Sequence, residues 1–448
     1  MSYLVVDRRR VACIFVFAAI TVGFRIVAAA DLPTSASNPE ASDPTAEKLN
    51  ITFDEFLDEV VANNLDYAAQ RYNVSIAEAN ITAASVFQNP TLALGGVRDV
   101  SHSGHERMPD SLNGSLTQTF ELGGKRKYRI LGARQTHAAT AATLDDFLRN
   151  LRLDAAAAFA DALAQARSAD QKRLSAEYLN DLAATQMERR RVGDISQADM
   201  LQTQVEAQQF QNDLLGAQAE AESASLALNG FLGRNRDGVR LVPAGNLDLP
   251  TRDFDLSTLL AEARESRSDL IALRYSRDAA QSKVQEERAN RIPNVDIGPA
   301  WTHGGRSDNS IAPSPQFDAV GLSFSLPIPL WNRNDAAIAA AHYAADQAQK
   351  QLDAAELKVD VELRQAFSAY RSAGKRVHQY QNGILKDADS VLDARRFSYQ
   401  RGQSTLLELL DAQRTANEVR SNYTAALADN AKALIELERA AGIWEIEF

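Results

Sequence analysis

Cysteine is nearly absent from the 448 residues, which hold one, Cys13. A lone cysteine excludes an internal disulfide framework and a Cys-rich zinc site. Long apolar runs are also missing. A mean hydropathy of −0.30 excludes a polytopic helical membrane protein, which needs repeated stretches of ~20 apolar residues. Positive charge is not in excess either, and a formal net charge of −11 argues against a general nucleic-acid binder. Disorder is excluded by 45% hydrophobic residues against 24% charged. Proline is scarce, 13 in all, and unevenly placed. Length alone suggests about three domains, but the proline pattern points to a different organisation.

The N-terminus reads as an export signal. Arg8, Arg9 and Arg10 precede an apolar run from Val11 to Phe24, and Ala28, Ala29 and Ala30 then precede Asp31. A basic region, an apolar core and an A-x-A site are the parts of a cleaved signal peptide. A membrane anchor is the other reading, but the run is short and Arg25 interrupts it. Cys13 lies inside the apolar core, so the mature chain is expected to have no cysteine and no lipid-bearing N-terminus. Residues 1–30 carry four Arg and one Asp, so their removal takes the net charge from −11 to −14. A Ser/Pro/Asn/Asp-rich stretch makes 31–50 a flexible leader.

No proline occurs between Pro109 and Pro243, or after Pro329. Both gaps are rich in Ala, Leu, Gln, Glu and Arg. Proline costs ~3 kcal/mol inside a helix, so both gaps read as long helices. Leu148, Leu151, Ala155, Ala158, Phe159, Ala162, Leu163 and Ala166 form a three-and-four-spaced stripe, and Val377, Tyr380, Ile384, Ala388 and Val391 form another. Each gap breaks once, at Gly193 and at Gly402, with Ser196 or Thr405 three residues on. Glycine then serine or threonine is a C-cap followed by an N-cap. Each gap is therefore a helix, a tight turn and a returning helix. About 60 residues precede each turn, or ~90 Å, too long for a compact globule.

The proline-bearing stretches read as strands. In 318–328, Val320, Leu322, Phe324, Leu326 and Ile328 alternate with Ala319, Gly321, Ser323 and Ser325. In 113–122, Leu116, Phe120 and Leu122 alternate with Ser115, Thr117, Thr119 and Glu121. Partner strands are expected over about 91–100 and 294–302, after Pro90 and Pro293. Strands of ~10 residues can cross a bilayer when tilted. A half-buried hairpin in a soluble domain shows the same alternation.

The chain is internally duplicated. At an offset of 203, Leu57, Glu59, Asp66, Ala69, Arg71, Tyr72, Ala77 and Pro90 match Leu260, Glu262, Asp269, Ala272, Arg274, Tyr275, Ala280 and Pro293. At 209, Gly193, Leu201, Gln204, Leu228 and Gly233 match Gly402, Leu410, Gln413, Leu437 and Gly442. The unit is helix, strand, strand, helix, turn, helix, over 51–233 and 256–442. Residues 234–255 link the copies and 443–448 form a tail. Four strands cannot close a membrane barrel, which needs ~8 or more. An open edge in lipid leaves backbone groups unsatisfied at several kcal/mol each. If the strands span a membrane, several chains share one barrel.

This architecture resembles the TolC-like outer-membrane efflux proteins. The resemblance runs from about Asn50 to Gly442. It rests on the duplicated unit, on Gln88-Asn89-Pro90, and on "FELGGKRKYR" from Phe120 to Arg129. It also rests on "LPIPLWNRN" from Leu326 to Asn334 and "YQRGQSTLLELLDAQR" from Tyr399 to Arg414. The "ELGGKR" form is similar to the branch serving cobalt–zinc–cadmium exporters. The resemblance implies a mainly α fold with a small β part. Three chains would share a twelve-stranded outer-membrane β-barrel of a Gram-negative cell, continued by a periplasmic α-helical coiled-coil barrel. The implied partners of this homotrimer are outer-membrane lipid, a periplasmic adaptor (membrane fusion) protein and an inner-membrane RND-type pump. Many relatives carry an N-terminal lipid on a cysteine that this sequence lacks.

The resemblance also implies the site. Relatives narrow the tunnel at the hairpin tips with acidic residues, and the matching positions are Glu408 and Asp411, one turn apart on one helix face. Asp199 matches Glu408 in the first copy, and Gln202 matches Asp411. In a trimer each position is a ring of three carboxylates that attracts cations. Helix-dipole charges at the start of a helix are the plainer reading. Relatives also close the tip with a Tyr, Asp and Arg network. Tyr399 and Asp199 match the first two, so a Tyr399–Asp199 contact is expected. Ser404 stands at the arginine position, with Arg401 nearby as a substitute. With Gly193 and Gly402, these residues make up the expected gate.

His102, His105 and His303 are placed in external loops. His102-x-x-His105 is a weak metal pair, more simply read as solvated loop histidines. No cofactor is expected. There is no G-x-x-x-x-G-K-[ST], G-x-S-x-G or H-E-x-x-H motif, so no enzyme is expected. "GGKRK" lacks phosphate-loop spacing, and Lys125 and Arg126 are placed at the periplasmic membrane boundary. The reading is a passive efflux channel, with heavy-metal cations as cargo. Drug efflux, a type I secretion conduit and a periplasmic coiled-coil adaptor are the alternatives.

Overall fold

The elements follow the duplication. In chain order they are β1 (Glu47–Thr52), α1 (Phe53–Asn63), α2 (Leu65–Ser85), β2 (Thr91–Val97), β3 (Ser111–Phe120), α3 (Lys125–Arg191), α4 (Gln197–Phe231) and β4 (Val239–Ala244). The second half continues with α5 (Leu256–Ser266), α6 (Ser268–Ala289), β5 (Val295–Gly304), β6 (Phe317–Ser325) and α7 (Asp335–Gln379). A π-helical stretch (Tyr380–Ile384), α8 (Leu385–Gln400) and α9 (Leu406–Ala441) complete it. This is a computed structural model that describes residues 47–100, 109–233, 239–250, 252–307, 313–444 and 448. All of them belong to one unit, Ala46–Phe448. The expected signal segment lies outside the described residues.

β2, β3, β5 and β6 form one antiparallel sheet in that order. Its register sorts the side chains. Leu92 pairs with Leu116, Gly114 with Trp301, Ile297 with Phe324 and Trp301 with Val320, so these share one face. Ala93 pairs with Ser115, Asn113 with Thr302, Thr119 with Asp296 and Gly298 with Ser323 on the other. The first face is mainly apolar, with Gln118 and, near the strand ends, His303 and Asp318 on it, and the other is mainly small or polar, the division between lipid and lumen in a membrane barrel. No helix among the described residues is long and apolar enough to cross a membrane.

The helices repeat the sheet's arrangement. Next to the sheet they pack in the order α2, α3, α6, α7. Nearer the turns the order is α4, α3, α9, α8. α3 belongs to both rows because it runs 67 residues, ~100 Å, without interruption. Each row of four has two outer elements, and those elements expose large apolar side chains. β2 exposes Leu92 and Leu94, and β6 exposes Val320, Leu322 and Phe324. α2 exposes Tyr72 and Ile76, α7 exposes Tyr343, Leu357 and Val361, and α4 exposes Leu201, Val205, Leu215 and Leu226. α8 exposes Val391 and Phe397.

The main core lies where the two helical rows meet. Phe159 of α3 stacks near Phe53 and Phe56, with ring centroids at 5.4 and 5.6 Å. Leu153, Leu228, Leu241, Leu363 and Leu434 are buried in the same cluster. Burying each such side chain stabilises the fold by about 1.5–3 kcal/mol. Buried Ala155, Ala156, Ala160 and Ala162 let neighbouring helices approach α3 closely.

Several local features differ from expectation. The leader was expected to reach residue 50, but β1 starts at Glu47 and pairs in parallel with β4, inside the expected linker. The helix opening each copy is two helices. Asn64 and Arg267, 203 residues apart, end one helix and start the next. Each then reaches the far end of its own copy. Asn64 Nδ2 donates to the Phe231 carbonyl at 3.1 Å, and Arg267 Nη1 to the Ala440 carbonyl at 3.0 Å. Phe231 and Ala440 are 209 residues apart, so both copies cap their last helix in the same way. The second hairpin is interrupted by the π-helical stretch, while α3 is not. The strands stop early, at Val97 and at Ser325, before Pro327.

Gly233 closes α4 at φ +59°, where an added Cβ would stand 2.5 Å from the Asn63 carbonyl oxygen. Gly233→Ala adds a left-handed penalty of about 1–2 kcal/mol to that clash. It should lower the thermal unfolding midpoint followed by circular dichroism. Gly383→Ala, in the π-helical stretch, meets nothing within 4 Å and should leave the midpoint nearly unchanged.

Candidate functional site

The two hairpin tips are built alike. Gly193 and Gly402 sit at φ +83° and +70°, a region glycine enters without strain. The Asp194 N–H donates to the Arg189 carbonyl at 2.9 Å, and the Gln403 N–H to the Ser398 carbonyl at 2.9 Å. This is the longer bond of a Schellman turn. Ser196 Oγ then accepts from the Asp199 N–H at 3.1 Å, and Thr405 Oγ1 from the Glu408 N–H at 3.3 Å. The caps start α4 and α9 at equivalent places.

The side chains around these turns are not alike. Glu408 completes a capping box by accepting from the Thr405 N–H at 3.3 Å, and it also pairs with Arg395 of α8 at 3.1 Å. In the first copy Asp199 accepts from Ser196 at 2.7 Å and, among the described residues, has no ion pair. Gln186 replaces Arg395 there and turns elsewhere. Asp411 lies one turn beyond Glu408, exposed, with no ion pair among the described residues. Leu406, Leu409, Leu410 and Gln413 of the same helix are buried against its neighbours. Glu408 and Asp411 therefore occupy the face of α9 that the rest of the chain leaves open.

Tyr399 joins the two hairpins, through partners the sequence did not suggest. Its hydroxyl accepts from Gln186 Nε2 at 2.7 Å and from Arg189 Nη1 at 3.3 Å, both on the last turns of α3. Arg189 also pairs with Asp194 at 2.6 Å. Gln186 is 1% exposed, so this amide is held inside the tip. The contact expected between Tyr399 and Asp199 is not among these hydrogen bonds. The Arg401 guanidinium lies 3.9 Å over the Phe397 ring of its own helix. Ser404 Oγ is buried with no partner among the described residues. Behind the latch, Leu179, Ala207, Leu406 and Leu410 form a small core, and Arg414 bonds bidentately to buried Glu206 of α4.

His102 and His105 lie outside the described residues. His303 is not in a loop but in β5, 2.9 Å from Asp318 of β6. Among the described residues no three His, Cys, Asp or Glu side chains are grouped to hold a metal ion. Lys125 and Arg126 both have internal partners. Lys125 is buried, which pushes its ammonium pKa down, and it donates to Asn294 Oδ1 at 2.5 Å. Arg126 donates to the Ser85 carbonyl at 2.6 Å and lies 4.4 Å over the Phe87 ring.

A two-faced antiparallel sheet continued by long helical hairpins that meet at capped tips is the fold of the barrel-plus-helical-barrel class. A solved structure of CusC has this fold at a TM-score of 0.73, with 18% identity, covering 88% of this chain and 92% of that one. The chain belongs to the Outer membrane efflux protein family, whose sequence pattern matches residues 56–234 and 259–443. It is similar to the cobalt-zinc-cadmium resistance protein CzcC of Cupriavidus metallidurans, at 25% identity over 88% of this chain and 90% of that protein. It is also similar to the nickel-cobalt-cadmium resistance protein NccC of Alcaligenes xylosoxydans xylosoxydans, at 29% identity over 68% and 67%. The family makes it an outer-membrane protein and a passive efflux channel rather than an enzyme.

Proposed function

We propose that three copies close a twelve-stranded barrel and a helical tunnel, which conducts heavy-metal cations outward from a periplasmic adaptor and an inner-membrane pump. One observation carries this reading. All three rows of four elements end in outer elements with exposed apolar side chains: β2 and β6, α2 and α7, α4 and α8. Joining β6 of one copy to β2 of the next satisfies the open strand edges. The same operation covers the helical edges. The metal cargo is supported by the resistance proteins to which the chain is similar. The acidic face of Glu408 and Asp411 would ring the narrow end, and the pump supplies the energy.

Deleting the gene should lower the tolerated concentration of zinc, cadmium or cobalt several-fold and leave drug tolerance unchanged. Lost drug tolerance with normal metal tolerance would replace the cargo. Cross-linking of the purified protein should stop at three chains.

In this reading the Tyr399 contacts hold the tip shut. Tyr399→Phe removes the acceptor of two hydrogen bonds and leaves the buried Gln186 amide unpaired. An unpaired buried polar group costs about 1–3 kcal/mol, which shifts a closed tip toward opening. Single-channel conductance or open time in planar bilayers should rise. Values equal to the parent would remove Tyr399 from the gate.

A further inference from the structure

The apolar face of β6 does not end with the strand. Val320, Leu322 and Phe324 are exposed, and Leu326, Ile328 and Leu330 continue the two-residue spacing through the prolines at 327 and 329. Trp331 directly follows the last of these, 94% exposed, and exposed Arg333 lies two residues on. The matching junction of the first copy is built differently. There Gly124 takes the left-handed place of Asn334, which puts Glu121 at the position of Trp331. Glu121 is turned inward onto Arg129 at 2.8 Å, and that guanidinium lowers its carboxyl pKa. Arg129's counterpart in the second copy is Ala339, which offers a residue at 331 no such partner.

The backbone around Arg333 is nonetheless fixed. Arg291 Nε donates to the Arg333 carbonyl at 3.3 Å, and Arg291 also pairs with Asp335. Asn334 Nδ2 donates to the Glu287 carboxylate at 2.9 Å. Hydrogen bonds from Asn334, Asn290 and Lys283 hold the Glu287 pKa down at about 2. Arg333 itself makes no ion pair among the described residues. The result is a free guanidinium on a held backbone, two residues beyond an indole that closes a lipid-facing apolar row. An indole is suited to the interfacial layer of a bilayer, and a cation beside it to a lipid phosphate.

We propose that Trp331 and Arg333 form a headgroup site for an anionic phospholipid of the periplasm-facing leaflet, which sets the height of the barrel in the membrane. The proposal rests on the sheet being the membrane-crossing part. Two single-tryptophan forms of the full chain test it in nanodiscs containing phosphatidylglycerol. One carries Trp301→Phe and Trp444→Phe, leaving Trp331. The other carries Trp331→Phe and Trp444→Phe, leaving Trp301 on the outward face of β5. Trp331 should be quenched most by lipids brominated at the headgroup end of the chain, and Trp301 by lipids brominated nearer the tail end. Native mass spectrometry should show several-fold less retained phosphatidylglycerol in Arg333→Glu. Inorganic phosphate added to the detergent-solubilised protein should not shift Trp331 emission. Quenching of Trp301 but not Trp331 by bromolipid overturns the site. If aqueous iodide then quenches Trp331, the residue faces solvent. If it does not, another protein surface covers it. Unquenched Trp301 would instead overturn the barrel reading. A response to inorganic phosphate alone, or equal lipid retention in Arg333→Glu, also overturns the proposal.

Discussion

Leu322→Arg should abolish assembly into the outer membrane. Leu322 pairs with Pro299 midway along the β5–β6 ladder, on the apolar face, and is 76% exposed in the single chain. A lipid-facing arginine near the bilayer midplane costs about 2–4 kcal/mol. Three copies in the proposed barrel would incur it three times, a sum comparable to the whole stability of a typical domain. The protein should be lost from the carbonate-resistant membrane fraction and degraded in the periplasm. Ser323→Arg, one residue on, points to the opposite face and should still assemble. Membrane insertion of Leu322→Arg together with loss of Ser323→Arg would reverse the faces of the sheet.

Neutralising the acidic face of α9 should have the second large effect, this time on conduction. Glu408→Ala is a poor probe because Glu408 completes the capping box with Thr405, and losing a cap costs about 0.5–2 kcal/mol. Glutamine can serve at the same capping position, so Glu408→Gln with Asp411→Asn removes charge and keeps shape. Block of single-channel current by divalent cations should need about tenfold more metal, the change that 1.4 kcal/mol of lost attraction gives. The change also frees Arg395 from its 3.1 Å ion pair, which adds to the loss of cation attraction. Unchanged block would return both carboxylates to an ordinary helix-terminal role.

Much of the fold was legible in the sequence because its signals are local. A proline-free stretch, a glycine and a capping hydroxyl define each hairpin without reference to anything distant. The alternation at Val320, Leu322 and Phe324 likewise matches the register. What was missed depends on distant contacts. Arg267 is not a capping residue type, and it breaks the α5–α6 helix while reaching the Ala440 carbonyl far along the chain. β1 takes its form from β4, a partner nearly 200 residues away. The π-helical stretch left no trace because Val377, Tyr380 and Ile384 keep helical spacing across it. At the tip, the carboxylates were singled out only by likeness to a family. The true partner of Tyr399 is set by packing, since only the meeting of α3 and α8 brings Gln186 within 2.7 Å.

The duplicated capping of α4 and α9 has a consequence for symmetry. In the proposed trimer, two copies of one unit per chain would place six nearly equivalent units around the pore. Its walls would approach six-fold symmetry because both copies use the same turns and caps. The tip would not. Gln186 stands opposite Arg395, Asp199 opposite Glu408, and Tyr399 has its counterpart in Arg190. Partners that grip such a wall would meet six similar grooves, while anything that opens the tip would act on three identical locks. A regulator with three-fold symmetry can drive the gate in a tube whose sides it need not distinguish.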